Sequence, residues 1–350
     1  MGAMILRPDA AVIAIDGGNS KTDVAVVRVD GEVLSVVRAG GHRPHSIGID
    51  AAEKELRAAV TEALASAGDP EAVAIGAYVA NADFAVEERL LRDRILGWNI
   101  ARDVEVGNDT LALLRSGVND RVGVAVVCGA GINCVGLGRN GEVARFPAIG
   151  TITGDWGGGF DLSLAAMFHA ARAEDGRGPH TLLSPMIARH FGRTTALDVS
   201  EGMHLREIDQ TRLHEIVPVL FDAAQLGDEV AGDIVARQAH EVVSMATIAL
   251  DRVGLGEVEA DVVLGGGVLA ADYPVLSDAV RSGIGATHPL AAVKIPELSP
   301  LMGSILLSLD ELSLDPAARS AAEDRAHTSL ARKKSDARRP DRRTAPTAQL

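Results

Sequence analysis

The chain has 350 residues, with 34 Lys and Arg against 48 Asp and Glu, which gives a formal net charge of −14 at pH 7. That length is typical of two domains with sizeable cores, and the ordinary apolar and charged fractions exclude a disordered chain. An acidic chain repels phosphate backbones, which argues against nucleic-acid binding. There is no apolar run of membrane-spanning length, no secretory signal and no disulfide framework. We therefore expect a cytoplasmic protein without nucleic-acid or membrane partners.

The first predicted elements are three strands interrupted by a glycine turn. Apolar runs at 11–16, 22–29 and 32–38 predict the strands, with Gly17 to Lys21 as the first turn and Asp30-Gly31 as a hairpin. The same plan returns over residues 122–146, where a strand again leads into a glycine turn and a hairpin. This internal repeat indicates a duplicated domain.

After each three-stranded segment, the pattern alternates between helix and strand. The predicted helices are 50–67, 84–96, 111–116, 161–173, 274–283 and 301–312, with several more between 182 and 253. The predicted strands are 72–79, 104–107, 262–264 and 293–295. Asp161 is the predicted N-cap of its helix. We expect an α/β chain with domains at 1–117 and 118–300, a helix at 301–314 that returns to the first domain, and a disordered basic tail at 315–350.

The two glycine turns have the composition of phosphate-binding sites, because backbone N–H groups in such turns can approach phosphate oxygens. The candidate contacts are Gly17, Gly18, Asn19, Lys21 and Thr22 in the first turn and Gly129, Ala130 and Gly131 in the second. Asp16, at the end of the first strand, is a candidate for holding a metal ion or its water. The alternative for either turn alone is a plain hairpin, but two turns from repeated segments favour a polyphosphate clamp between the domains.

Three further positions are candidates for chemistry or binding. Asp109 follows a predicted strand, where α/β proteins present catalytic groups, and it can accept the proton of an attacking hydroxyl. The alternative is that Asp109 or Asn108 only caps the next helix. Asp155, in a glycine-rich segment, can bind hydroxyl groups, and Gly265–Gly267 can let a purine or ribose lie against the backbone. The alternative is a flexible turn at Asp155 and a bare helix-entry turn at Gly265–Gly267.

Together, these residues resemble the sugar kinase/Hsp70/actin superfamily. Asp16–Thr22, Asp109, Gly129–Cys134, Gly154-Asp155 and Gly265–Gly267 occur in the order seen there. Within it, the chain resembles the BadF/BadG/BcrA/BcrD ATPase family, and specifically its N-acetylglucosamine kinase branch, over about residues 10–312. The resemblance implies two ribonuclease-H-like domains of the actin-like ATPase fold with a cleft between them. The expected activity is ATP-dependent phosphoryl transfer to a hydroxyl of N-acetylglucosamine, glucosamine or another hexose, with a homodimer left open.

The resemblance also implies a role for each matched position. Asp16 would coordinate Mg²⁺ through water, Asp109 would be the catalytic base, and the two turns would bind the phosphates of ATP. Gly265, Gly266 and Gly267 would contact adenosine. The sugar contacts would be His45, Asn108, Asn133, Gly154 and Asp155. The chain departs from the branch at Trp156, where Glu is usual.

Two other functions remain open from the sequence. The same family contains redox ATPase activators, in which a dimer shares an iron–sulfur cluster held by cysteines from each subunit. Cys128 and Cys134 flank the second turn, which is a poor arrangement for a shared cluster. The other alternative is a non-catalytic sugar sensor, against which the lack of a helix-turn-helix segment before Ala11 counts.

Overall fold

The computed structural model describes residues 7–337, and the side chains of residues 7–333. The strands are β1 (Ala11–Gly17), β2 (Lys21–Arg28), β3 (Val33–Gly40), β4 (Ala72–Val79), β5 (Asp103–Asn108), β6 (Gly123–Cys128), β7 (Ile132–Leu137), β8 (Val143–Arg145), β9 (Ala260–Gly265) and β10 (Ala291–Lys294). The α-helices are α1 (Pro44–Ile47), α2 (Ile49–Ser66), α3 (Ala85–Leu96), α4 (Asp109–Gly117), α5 (Gly159–Glu174), α6 (Leu183–His190), α7 (Ala196–His204), α8 (Ile216–Gln225), α9 (Glu229–Arg252), α10 (Gly267–Ala270), α11 (Pro274–Thr287), α12 (Pro300–Asp310) and α13 (Pro316–Ala337). Among the described helices, none has the length and apolar character that a bilayer crossing requires.

The chain forms two compact units with the same sheet topology. Over the described residues, unit 1 comprises 7–112 and 298–337, and unit 2 spans Leu113–Glu297. The strand orders are β3-β2-β1-β4-β5 and β8-β7-β6-β9-β10. In each sheet the first three strands are antiparallel and the last two run parallel to the first. This repeated order confirms the predicted α/β class with two ribonuclease-H-like domains.

In unit 1, helices cover both faces of the sheet because side chains alternate along β1. Ile13 and Ile15 belong to the cluster that includes Val60 of α2. Val12 packs in the opposite cluster with Ile305 of α12. The helix predicted at 301–312 is thus α12, which packs on β1 and β4 of unit 1.

In unit 2, the core surrounds the long helix α9, which contacts β6, β7 and β8. Val124, Val126 and Val262 point from the sheet into a cluster with Val242 and Leu250 of α9. The carboxyl ends of parallel β6 and β9 lie side by side, since Val127 and Gly265 are register partners. The second turn, Gly129–Gly131, and the glycine segment Gly265–Gly267 therefore begin at the same edge of this sheet.

The disorder predicted for 315–350 is wrong over α13. Ala322, Ala326 and Leu330 are buried in the cluster that also contains Val33. The Val33 N–H donates to Ser329 Oγ at 3.0 Å. The few apolar side chains of this polar segment recur every four residues, so they form one stripe that packs on the β2–β3 hairpin. The remaining residues of the predicted tail, 338–350, lie outside the described part of the chain.

Two predicted boundaries also differ from the structure. The division between units falls at Ala112–Leu113, inside α4, whereas the sequence placed it at 117–118. Leu113 belongs with unit 2, and its side chain occupies the space beside Gly265 that a Cβ there would need. Asp161 is not the N-cap of α5, because the helix begins two residues earlier and Gly158 holds the cap position. Asp161 instead accepts the Gly157 N–H at 2.9 Å.

Candidate functional site

In unit 1, the predicted site residues meet at the carboxyl ends of three parallel strands. Gly17, Val79 and Asn108 are register partners across β1, β4 and β5, so the residues beyond them are neighbours. The first turn is tight, because the Gly18 N–H donates to the Lys21 carbonyl at 2.8 Å. A Cβ on Gly17 would lie 2.8 Å from Val79 Cγ1, so the sheet itself requires glycine there.

Asp109 lies at the start of α4, with only a minor part of its surface exposed. Burial, with the nearby carboxylates of Asp16 and Asp83 as smaller causes, raises the pKa of Asp109 from 3.8 to about 7. Asp16 itself is 8% exposed at the end of β1. A carboxyl group that titrates near neutral pH is suited to proton transfer at physiological pH.

Asn108 performs much of the capping that the sequence left open between Asn108 and Asp109. Its Oδ1 accepts the Thr110 N–H at 3.1 Å and the Thr110 hydroxyl at 2.7 Å. Its Nδ2 donates to Asp83 Oδ1 at 2.9 Å. Both the oxygen and the nitrogen of the buried Asn108 amide therefore have hydrogen-bond partners within unit 1. The contact of Asn108 with sugar stays a prediction.

The loop between β4 and α3 contacts the predicted site loops of unit 1, a connection that no local sequence pattern indicates. Asn81 Nδ2 donates to Asn19 Oδ1 at 2.9 Å and to the His42 carbonyl at 3.0 Å. The Asn81 backbone has φ of 64°, a conformation that asparagine adopts more readily than most residues. The Asn81 side chain thus ties the first turn to the loop after β3.

The two histidines after β3 have different surroundings. Burial, with a smaller contribution from His45, lowers the pKa of His42 to about 4, so His42 is neutral at pH 7. His45, a predicted sugar contact, is largely exposed, and its Nε2 lies 3.1 Å from Glu87 Oε1. Glu87 also accepts the backbone N–H groups of Asp83 and Phe84 at the start of α3, each at 3.0 Å.

Lys21, a predicted phosphate contact, is held by Asp23. Its Nζ lies 2.8 Å from Asp23 Oδ2, and the Asp23 carboxylate is 6% exposed. Arg38 binds the same carboxylate through Nε at 2.6 Å and through a terminal nitrogen at 3.0 Å. The hydrogen bond with Asp23, assisted by the more distant charge of Asp16, raises the pKa of Arg38. No local sequence pattern marks Arg38, because its pairing with Asp23 depends on the register of β2 and β3.

In unit 2, the second turn and the adenosine candidates are adjacent. The Gly129 N–H donates to the Gly131 carbonyl at 2.9 Å, which closes the turn between β6 and β7. A Cβ on Gly129 would lie 3.9 Å from Gly266 Cα and from the Gly267 nitrogen. Gly266 has φ of +82°, and a Cβ there would lie 2.5 Å from the backbone of Cys128. This edge of unit 2 therefore presents bare backbone from two neighbouring turns.

A cavity of about 300 Å³ lies beside the second turn. Its walls include Gly131, Asp155, Ile149 and Phe160. Asp155 is 7% exposed and accepts a hydrogen bond from the Thr153 hydroxyl. The cavity thus combines a carboxylate acceptor with apolar surface, which is the mixture that a carbohydrate ring requires.

The other residues near this cavity have defined positions. Gly154 follows a 3₁₀ turn with φ of 84°, in the left-handed region that favours glycine. Asn133 lies on β7, and its Oδ1 accepts the Cys134 N–H at 2.7 Å. Trp156 lies under the Arg237 guanidinium, whose carbon is 3.9 Å from the ring centroid.

Both cysteines are buried in the core of unit 2. Burial raises the pKa of the Cys128 thiol to about 12 and that of Cys134 still further. Metal and cluster ligation requires the thiolate, which this environment disfavours. The geometry therefore gives no support to the iron–sulfur alternative.

A protein-family model matches residues 13–308 of this chain, and it describes the BadF/BadG/BcrA/BcrD ATPase family. The chain belongs to this ATPase family. An N-acetyl-D-glucosamine kinase of Dictyostelium discoideum is 25% identical over 312 residues, covering 85% of this chain and 97% of that protein. An N-acetylmuramic acid/N-acetylglucosamine kinase of Clostridium acetobutylicum is 25% identical over 302 residues, covering 86% and 98%.

The fold is also that of a solved sugar kinase. A ROK family glucokinase from Streptomyces griseus, solved with glucose and AMPPNP, superposes with a TM-score of 0.55 at 17% identity. The match covers 86% of this chain and 98% of the glucokinase. At that identity the likeness establishes the actin-like ATPase fold. The family match ends at residue 308, before α13 begins.

Proposed function

We propose that this chain is an ATP-dependent kinase that phosphorylates a hydroxyl of an amino sugar or hexose, with N-acetylglucosamine as the first candidate. The observation that carries the proposal is the position of Asp109, which directly follows β5 at the carboxyl ends of parallel strands and lies near the Asp16 carboxylate. The ATPase family and the names of its two kinase relatives support the same reaction.

In this reaction Asp109 is the general base. The sugar hydroxyl oxygen bonds to the γ-phosphorus, the bond from that phosphorus to the β–γ bridging oxygen breaks, and ADP leaves. The hydroxyl proton passes to Asp109, which must be ionised beforehand. A base with a pKa near the working pH combines an available charged form with enough basicity to accept the proton.

Mg²⁺ is the expected cofactor, and Asp16 is the residue proposed to hold it through water. The described residues contain no group of three or more His, Cys, Asp or Glu arranged to bind a metal. A single buried carboxylate nevertheless fits Mg²⁺, which keeps several waters and is usually bound by one or two carboxylates together with substrate phosphates. When bound, the ion neutralises charge on the phosphates.

Each unit supplies its own nucleotide contacts under this proposal. Unit 1 offers the backbone of Gly17–Thr22, and unit 2 offers the turn Gly129–Gly131 for the phosphates of ATP. The neighbouring bare backbone of Gly265–Gly267 would receive the adenosine. This assignment is supported by the separation of only 3.9 Å between the Gly129 Cβ position and Gly266.

The sugar-binding proposal rests on the cavity beside Asp155. The Asp155 carboxylate would accept hydrogen bonds from sugar hydroxyls, and Gly154 and Asn133 lie in the same region of unit 2. His45 and Asn108 of unit 1 are the other proposed sugar contacts. The apolar side of the cavity, formed by Ile149 and Phe160, gives an acetyl methyl group or a ring face a surface to pack on.

The test is a coupled ADP-release assay with Mg²⁺, ATP and a panel of N-acetylglucosamine, glucosamine, glucose and N-acetylmuramic acid. A reaction without sugar measures basal ATP hydrolysis, and ³¹P NMR of the product identifies the phosphorylated sugar. We expect at least one sugar to raise ADP release well above the basal rate and to yield a sugar phosphate. ADP release that no sugar stimulates would refute the kinase proposal.

A further inference from the structure

The second turn of unit 2 is held from behind by a short backbone segment, residues 157–160, which we call the brace. The Gly159 N–H donates to the Gly129 carbonyl at 2.7 Å, and the Phe160 N–H donates to the Ala130 carbonyl at 3.0 Å. Gly158 has φ of +87°, and a Cβ there would lie only 2.4 Å from Gly131 Cα. The conformation of the turn therefore depends on where the brace lies.

The brace is in turn fixed by one buried side chain of α9. Gln238 is 0% exposed, and its Oε1 accepts the Gly158 N–H at 2.9 Å. A Cβ on Gly157 would lie 2.6 Å from the same oxygen, so the amide is packed directly against the brace.

The Nε2 group of Gln238 does not explain why a polar residue occupies this buried position. Over the described residues, its Nε2 has no hydrogen-bond partner. A buried donor without a partner destabilises the fold, so an apolar residue would pack here at lower cost. What an apolar residue lacks is the acceptor for the Gly158 N–H.

We propose that Gln238 is a positioning residue for the phosphate-binding turn Gly129–Gly131. It contacts no substrate and acts through the brace, whose two backbone hydrogen bonds hold the turn in the conformation that receives phosphate. Backbone donors contribute most to anion binding when they are held in place before the ligand arrives. This inference rests on the proposed role of the turn in ATP binding.

Three variants of α9 separate positioning from packing. Gln238→Leu keeps a side chain of similar size but removes the acceptor, and Gln238→Glu keeps an acceptor oxygen but buries a carboxyl group. Val242→Ala, one helical turn later, is the control for general weakening of the core, because Val242 is fully buried among apolar residues.

We expect Gln238→Leu to raise KM for ATP about tenfold with a smaller change in kcat, since the Gly158 N–H loses its oxygen acceptor. Gln238→Glu should keep KM for ATP within about twofold of the unmodified protein, although the buried carboxyl group lowers its melting temperature further than Leu does. Val242→Ala should lower the melting temperature and leave KM unchanged. Gln238→Leu would then have the highest KM for ATP, while Gln238→Glu would have the lowest melting temperature. A loss of packing alone does not produce these opposite orders.

Hydrogen exchange without any ligand gives a readout that does not depend on kinase activity. Amides of residues 128–132 should exchange faster in Gln238→Leu than in Val242→Ala or Gln238→Glu. If the unmodified protein transfers no phosphate to any sugar, the kinase proposal fails while the exchange result still tests the brace. Unchanged exchange and unchanged ATP affinity in folded Gln238→Leu, or equal losses in the Leu and Glu variants, would overturn the positioning role.

Discussion

Asp109→Asn should make the protein more stable at alkaline pH, because the charged carboxylate is disfavoured where it lies. Asp109 has a pKa of about 7 in the folded protein, against an ordinary value of 3.8. Between these values the folded state keeps a proton that the unfolded state has lost. Stability attributable to this group therefore falls as pH rises from 4 to 7, and it stays low above pH 7.

The magnitude follows from the difference in pKa. The folded and unfolded pKa of Asp109 differ by about 3, and a difference of 1 corresponds to about 1.4 kcal/mol. The penalty at pH 8 is therefore about 4 kcal/mol as an upper bound. Asparagine carries no charge, so Asp109→Asn should gain most of that free energy at pH 8 and almost none at pH 4. Proteins often retain groups that destabilise the fold where function needs them, and Asp109 is proposed to be such a group.

The assay is urea unfolding at pH 4, 6 and 8, followed by tryptophan fluorescence. The chain has two tryptophans, one in each unit, so a Trp156→Phe background leaves Trp98 as a probe of unit 1 alone. Asp103→Asn is the matched control, since Asp103 is an exposed aspartate at the other end of β5. A stability gain of Asp109→Asn that is the same at all three pH values would show that the pKa of Asp109 is not raised.

Three further predictions follow from the same structure. In pH-rate profiles, kcat/KM for the best sugar should fall about tenfold per pH unit below pH 7, because Asp109 gains its proton there. Asp83→Asn should shift this acidic fall in kcat/KM to lower pH, because it removes a negative charge near Asp109. Gly129→Ala should fold normally but bind ATP at least about tenfold more weakly by calorimetry, because the methyl group has room in the protein but obstructs approach to the backbone. Removing all residues after Leu314 should lower the unfolding free energy of unit 1 by about 3 kcal/mol in urea titrations, because the apolar stripe of α13 is lost.

Each of these predictions has a control and a contradicting result. An Asp83→Asn profile that superimposes on that of the unmodified protein would show that Asp83 does not influence the base. Gly232→Ala, in an open position on α9, should leave ATP affinity unchanged, and equal affinities for it and Gly129→Ala would remove the second turn from the phosphate site. Leu330→Ala should reproduce part of the truncation effect, and an unchanged stability for both would mean that α13 does not stabilise unit 1.

The sheets were predictable from the sequence because their signals are local. The apolar run at 72–79 became β4 with the same bounds, and both glycine turns lie where strand ends met Gly-rich segments. The repeated sheet order follows from the repeated strand and turn pattern. Asp16 and Asp109 lie at the same edge of the unit 1 sheet, as expected for residues at the carboxyl ends of parallel strands.

The missed features depend on contacts between distant parts of the chain. Asn81 joins Asn19 and His42 across 62 and 39 residues, and no local pattern marks it. Gln238 reaches the brace across 80 residues and reads as one polar residue in an amphipathic helix. The helix α13 has only a narrow apolar stripe, and its burial depends on the β2–β3 hairpin, which lies far away in the sequence.

The central claim is that Asp109 takes the proton of a sugar hydroxyl during phosphoryl transfer from ATP. The most direct measurement compares single-turnover transfer from γ-labelled ATP to the best sugar in the unmodified protein and in Asp109→Asn, with both ligand affinities measured by calorimetry. We predict that transfer falls by at least about 100-fold while ATP and sugar affinities stay within about threefold. A folded Asp109→Asn protein that transfers phosphate within about threefold of the unmodified rate would contradict the claim, because a helix-capping residue is replaced by asparagine without loss.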